Sequence, residues 1–322
     1  MGKFEWIKIQ TEIEKQYRLF NKELLSIEEY SDICKSSGMD DIDEQMQFLS
    51  ILNVCGSCIA IEDGEFSILN PNWIADYLYL FYDQMPTKVK GIMDYKKEYL
   101  PMLNKLKEYA EYKELITDYL EERGLCTLFR DDTNRKKIFI PMFLSEEPEY
   151  EDDISITELN LKYRFTTSVI PEYEFHKFLV REFEKIRRNI YSIWQFGLYF
   201  RYNTSTIQMQ LMNDGILLEI WAKNIIECRE CLQWIRNAVI NTARENFFEE
   251  YVLVKEDSKR TFLPYRILET LNSLKIKLYC LPEEGNAKSF VLIDVESISQ
   301  KCGLIKETLE EAVKNQDMRK KY

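Results

Sequence analysis

The chain has a single histidine, ten glycines, eight prolines, and no apolar run near the roughly 18–20 residues that a bilayer-spanning helix needs. Each scarcity removes a class of chemistry. One imidazole, His176, cannot build a multi-histidine metal site, and its setting in Tyr173–Phe178 at a helix edge predicts an ordinary surface or half-buried side chain. No two glycines stand at the spacing of a phosphate-cradling loop followed by Lys and Ser or Thr, and there is no GxGxxG, so neither the P-loop route to nucleotide hydrolysis nor a dinucleotide fold is written here. The polar start Met1–Glu5 carries no secretory signal, and a cytoplasmic chain without membrane contact is expected.

Positive charge is also short where it would matter most. The net charge of −12 comes almost wholly from residues 1–150, which hold 18 Lys and Arg against 29 Asp and Glu; residues 151–322 hold 25 against 26. An acidic surface repels phosphate backbones, whose neutralisation supplies most nucleic-acid affinity. The stretch Asp41–Val54 has Asp41, Asp43 and Glu44 and no Lys or Arg, which argues against DNA readout by this segment.

What the chain does have is apolar and aromatic substance, 45% hydrophobic and 13% aromatic residues, enough for two domains with cores of their own. The eight cysteines lie mostly within apolar segments and read as buried free thiols. Two of their spacings, Cys55–Cys58 and Cys228–Cys231, are CxxC. The pairs stand about 170 residues apart, one crosses from a helix end into a strand and the other lies along a helix, so zinc and thioredoxin chemistry are both disfavoured. Clustered carboxylates such as Asp40-Asp41 and Glu121-Glu122 read as solvated charge.

The periodicities predict an α+β protein. Residues 3–20 and 26–36 are expected as helices, the second opened by a capping box of Ser26 and Glu29. Gln47–Tyr82 reads as helix, hairpin and helix: an apolar helical run stopped by Gly56, strands Cys58–Ile61 and Phe66–Leu69 about an Asp63-Gly64 turn, then Asn70 as cap and Pro71 as first helical residue. This is a winged-helix-like pattern. After a break at Pro86-Thr87, helical material from about Asp94 to Arg123 leads through Gly124 into a second hairpin, Leu125–Arg130 and Lys136–Ile140, and Pro141 follows, so the helix–glycine–hairpin–proline order repeats. The acidic run Glu146–Asp153 suggests a boundary between a helical domain of residues 1–150 and an α+β domain of residues 151–322.

In the second domain a strand Leu159–Thr166, a helix Pro171–Arg188 and a meander of Trp194–Tyr202, Thr206–Met212 and Ile216–Ala222 are expected. Alternation of Ile207, Met209 and Leu211 with Gln208 and Gln210 predicts one core face and one polar face. A long helix Ile226–Asn246, strands at Tyr251–Val254 and Lys275–Leu281, a helix from near Pro264 and a C-terminal helix from about Leu304 complete a mainly antiparallel sheet covered by helices. The aromatic band of Trp73, Tyr77, Phe81 and Tyr82, with Tyr79 to one side, reads first as core packing and second as core plus a partner surface, since tyrosine and tryptophan are favoured at protein contacts.

These segments carry a resemblance to a known family. Trp6-Ile7, Ile27–Tyr30, Cys34 before Gly38, Leu49–Gly56, Leu69–Trp73 with Tyr79, Phe139–Pro141 with Leu144, Leu161–Phe165, Ile170-Pro171, Trp194–Gly197 and Trp234–Arg236 run in an order that resembles the COR domain, the region after the Ras-like Roc GTPase in Roco proteins. Asn53 departs from it, standing where the family often has a histidine, and nothing upstream of Trp6 could form a GTPase. The resemblance implies a non-catalytic dimerisation and regulatory module with no cofactor of its own. GTP or GDP would bind the Roc partner, supplied in cis in the full-length protein or in trans. It also implies a GTPase-facing first half, for which Trp73, Tyr77 and Tyr79 are the candidates, and a homodimerising second half, for which Tyr199, Arg201 and Tyr202 are. The other reading is an acidic winged-helix-like adaptor that bridges proteins without any GTPase.

Overall fold

A computed structural model of the chain describes residues 3–20, 22–61, 67–83, 91–148, 159–166, 171–242, 249–256, 260–283 and 286–304. The chain divides into two compact units, Met1–Val89 with Asp94–Glu122, and Lys90–Met93 with Arg123–Tyr322. The expected Asp63-Gly64 turn, the Pro86-Thr87 break and the helix beyond Leu304 lie outside the described residues, as do 149–153 of the acidic run.

The first unit begins with α1 (Lys3–Phe20), β1 (Leu24–Ser26), α2 (Ile27–Ser36), α3 (Ile42–Val54), β2 (Ile59–Ile61), β3 (Ser67–Leu69) and α4 (Pro71–Asp83). Local chemistry explains the ends. Ser26 Oγ accepts from Glu29 N while the Glu29 carboxylate accepts from Ser26 N at 3.0 Å, a closed capping box. Asp41 accepts from the amides of Asp43 and Glu44 at the start of α3. Asn70 accepts from Asn72 N, with Pro71 as the first residue of α4. The strands form a small antiparallel sheet in the order β1-β3-β2. Ile9, Ile13 and Tyr17 of α1, Tyr30 and Cys34 of α2 and Phe48, Leu49 and Leu52 of α3 close over one core.

Helical material from Tyr95 to Glu122 is a broken run: a π-helical turn Tyr95–Tyr99, α5 (Leu100–Lys105), a 3₁₀ stretch Lys107–Tyr112 and α6 (Lys113–Glu122). Before it stands β4 (Ile92–Asp94), and after it β5 (Thr127–Arg130) and β6 (Lys136–Phe139), which make a three-stranded sheet in the order β4-β6-β5. Both helix–hairpin passages turn on a glycine with positive φ, Gly56 at 71° and Gly124 at 69°.

The second unit is built on a seven-stranded antiparallel sheet, ordered β13-β12-β7-β11-β10-β9-β8. Its strands are β7 (Leu159–Thr166), β8 (Ile190–Trp194), β9 (Gly197–Tyr202), β10 (Ser205–Met212), β11 (Gly215–Ala222), β12 (Glu249–Glu256) and β13 (Arg260–Pro264). The expected first meander strand Trp194–Tyr202 is in fact a two-strand corner, with the chain reversing at Gln195-Phe196. The register puts Leu161, Tyr163, Phe165, Leu198, Phe200, Ile207, Met209, Leu218 and Ile220 on one face, under α7 (Pro171–Ile186) and α8 (Ile225–Thr242). α9 (Tyr265–Ser273), the hairpin β14 (Leu278–Glu283) and β15 (Asn286–Asp294), and α10 (Val295–Lys301) add to the same core through Leu268, Val291, Ile293 and Val295. The fold is therefore α+β, with a helical N-terminal part and a C-terminal antiparallel sheet packed with helices.

A half-buried polar network fastens α8 to the sheet. Glu250 accepts from Arg236 Nε at 2.5 Å and Nη2 at 3.0 Å and from the hydroxyl of Tyr163, while the guanidinium lies 4.4 Å over the Tyr265 ring. A bidentate, stacked arginine of this kind is held in a fixed orientation.

Candidate interaction surfaces

Among the described residues no group of three or more His, Cys, Asp or Glu could hold a metal ion. His176 is buried, not on the surface, and its Nε2 lies 3.1 Å from the carbonyl of Gln195. Burial pulls its pKa down, partly offset by that hydrogen bond. Three of the four CxxC cysteines, Cys58, Cys228 and Cys231, are buried packing groups, whereas Cys55, expected as a buried thiol, is exposed. Burial pushes the thiols of Cys58 and Cys228 up to about 12 and that of Cys231 up to about 11, so they stay protonated and weakly nucleophilic. Cys55 and Cys280 are exposed.

The α4 band divides by helical position. Trp73 is 8% exposed and Tyr77 fully buried. Trp73 meets Tyr109 at 4.9 Å, Tyr77 stacks on Phe81 at 5.5 Å and crosses Tyr109 edge-on at 5.2 Å, and Phe81 meets Tyr99 at 6.0 Å. The Tyr109 hydroxyl donates to Trp73 O, and Tyr99 Oη is 3.1 Å from Thr117 Oγ1. These rings hold α4 to the broken helical run, so Trp73 and Tyr77 present no ring to a partner. Tyr79 is 74% exposed. Elsewhere on this unit Phe4, Ile7, Leu19 and Val54 are exposed, and an open groove of about 630 Å³ runs between α1 and α2, lined by Ile7, Thr11, Asp32 and Ile33 among others.

The three candidates of β9 also separate, because successive residues of a strand face opposite ways. Tyr202 turns to the helical side and stacks on Trp234 of α8 at 4.7 Å, part of the core rather than of a free surface. Tyr199 and Arg201 lie on the other face. There Tyr199, Trp194 and Trp221 form a small cluster of their own, with Phe196 against it and the exposed Tyr191 ring 5.3 Å from Tyr199. Gly197 makes the cluster possible, since a Cβ at that position would stand 1.9 Å from the Trp194 ring. Arg201 is exposed and its Nε donates to Asn203 O. The same face carries charge: Lys162 pairs with Glu219 at 3.2 Å, and Arg164 lies between Asp214 and the rings of Tyr251 and Phe262. Sequence reasoning missed Tyr191 and the outer face of the β14–β15 hairpin, whose only signal was the alternation Leu278, Cys280 within one expected strand.

Residues 4–144 match the family model described as "C-terminal of Roc, COR-A domain". No match was found among curated proteins. Among solved structures the chain is similar to Methanosarcina barkeri Roco2 RocCORdC bound to GDP, at 21% identity and a TM-score of 0.34 over 45% of this chain and 44% of that one. The chain thus spans less than half of the structure it matches. Among the described residues no helix is long and apolar enough to cross a membrane. Over residues 4–144 the chain is thus similar to the COR-A domain, described as C-terminal of Roc.

Proposed function

We propose that this chain is a non-catalytic module that binds a Ras-like Roc domain through its first half, pairs with a second copy through its second half, and so ties the nucleotide state of the GTPase to self-association. The COR-A match over residues 4–144 carries this reading. Two observations support it. The described residues offer exposed rings and charged faces, and the acidic first half suits a partner with a basic face. Tyr79 is the anchor on the GTPase side; Tyr191 and Arg201, on the outer face of the large sheet beside Tyr199, serve the pairing of copies. GTP or GDP binds the Roc partner, and neither nucleic acid nor membrane is a target.

The test adds a Roc domain from a Roco protein, loaded with GDP or with a non-hydrolysable GTP analogue, to the full chain and follows mass by light scattering. A complex is expected whose self-association differs between the two nucleotide states. Tyr79→Ala should weaken Roc binding by about 30-fold, the scale of an interface anchor worth about 2 kcal/mol. Absence of binding in both states would refute the reading.

A further inference from the structure

The large sheet is forked at one end. β7 and β12 pair only from Thr166 with Glu249 to Tyr163 with Val252, whereas β7 stays paired with β11 as far as Leu159 and β12 stays paired with β13 as far as Glu256. The cause is local. Leu253 stands opposite Phe262 and Lys255 opposite Thr261, so Val254 is an extra residue on β12, and a bulge of this kind bends its strand and ends pairing.

The fork holds a cavity of about 160 Å³ whose polar lining is Asn160, Lys162, Glu256 and Lys301, with Leu253 and Ile298 among its apolar walls. That is well below the ~300–1,000 Å³ of pockets for drug-sized ligands and cofactors, so a nucleotide does not fit and a ligand of a few heavy atoms does.

Charge decides the sign of that ligand. The Lys162 ammonium, with its side chain only 12% exposed, lies between the carboxylates of Glu219 and Glu256, and Glu256 is also 3.5 Å from Arg260 Nε. Lys301, half-buried at the end of α10, has no carboxylate partner among the described residues; its ammonium donates to the Asn160 carbonyl at 3.5 Å. Three cations therefore face two carboxylates, and the uncompensated one is at the cavity. Partial burial strengthens its pull on an anion. Glu256 is the carboxylate able to yield its place, being 44% exposed against 17% for Glu219 and having Arg260 as a second partner.

We propose that the fork between β7 and β12 binds a small oxyanion, a phosphate or a short carboxylate, which bridges Lys162 and Lys301 while Glu256 gives up Lys162 and keeps Arg260. The site lies within the second unit, and the inference does not depend on Roc binding.

Isothermal titration of the full chain with sodium phosphate and, separately, with sodium malonate, at an ionic strength held constant with chloride, reads the site directly. Saturable binding of at least one of them is expected, with a Kd on the order of 1 mM, and the tighter of the two identifies the class of anion. Lys301→Met should weaken that binding about tenfold, the scale of a lost charge-assisted hydrogen bond. Glu256→Gln, which removes the competing carboxylate, should tighten it about threefold. A damaged fold could not bind more tightly, so the second variant guards against a loss of structure in the first. Absence of saturable binding, or an affinity that either variant fails to move in the stated direction, would overturn the proposal.

Discussion

The two aromatic groups of this protein have similar compositions and opposite uses. The rings of α4 and of the helical run after it are spread along three turns and interlock, so that Trp73, Tyr77, Phe81, Tyr99 and Tyr109 are a core. The rings of the large sheet are split by the pleat: Phe200 and Tyr202 go under α8, while Trp194, Tyr199 and Trp221 make a separate patch on the charged side. On a helix, a ring's role follows from its angle about the axis, and Tyr79, two residues from Tyr77, escapes the core for that reason. On a strand it follows from parity alone.

The sharpest test of that contrast is within α4. Tyr77→Ala should cost about 3–5 kcal/mol, read as a loss of denaturant midpoint, because a fully buried ring leaves a cavity. Tyr79→Ala should stay within about 0.5 kcal/mol, as an exposed position does. Equal costs at the two positions would dissolve the distinction between a core ring and a free one.

A smaller effect probes the sheet. Gly197→Ala places a methyl group against the Trp194 ring and is expected to cost about 1–3 kcal/mol of overpacking, with a change in tryptophan fluorescence as the ring is pushed aside. A variant with unaltered emission and stability would mean that the outer cluster is loosely packed and interchangeable with ordinary surface.

The smallest effect is a pH dependence. Burial lowers the pKa of His176 in the folded state, so the unfolded chain binds its proton first. The stability that a neutral His176 permits is present above about 6.5, is lost as pH falls below that value, and stops declining once the folded state also protonates. His176→Gln should flatten this part of a stability profile measured between about pH 7 and 5; a slope identical in both proteins would show that other groups set it.

Much of this architecture was legible where a short-range physical rule governs. The capping box of Ser26 and Glu29, the Asn70-Pro71 start of α4, the strand Leu159–Thr166 and the alternation in β10 each follow from a few neighbouring residues. The corner between β8 and β9 was hidden because Gln195-Phe196-Gly197 carries no Asn or Pro and its glycine serves the Trp194 ring rather than a left-handed turn. β13 and β15 are strands by virtue of their partners β12 and β14, and composition alone does not announce them. For the surfaces, residue type pointed to α4 and β9 correctly as aromatic elements. It could not say which rings were free, since that depends on what packs against each one.

The position of β7 in the large sheet has a consequence for how the molecule assembles. Strands β8 to β11 are successive in the chain and can zip by nearest-neighbour closure, but β7 is made earlier and joins β11 on one edge and β12 on the other. A ribosome-bound chain would therefore carry β7 with both edges open until the meander arrives, and with one edge open until Glu249 emerges. Its outward Lys162 and Arg164 put two charges on that waiting strand, a form of insurance against premature pairing with a neighbour on the same message.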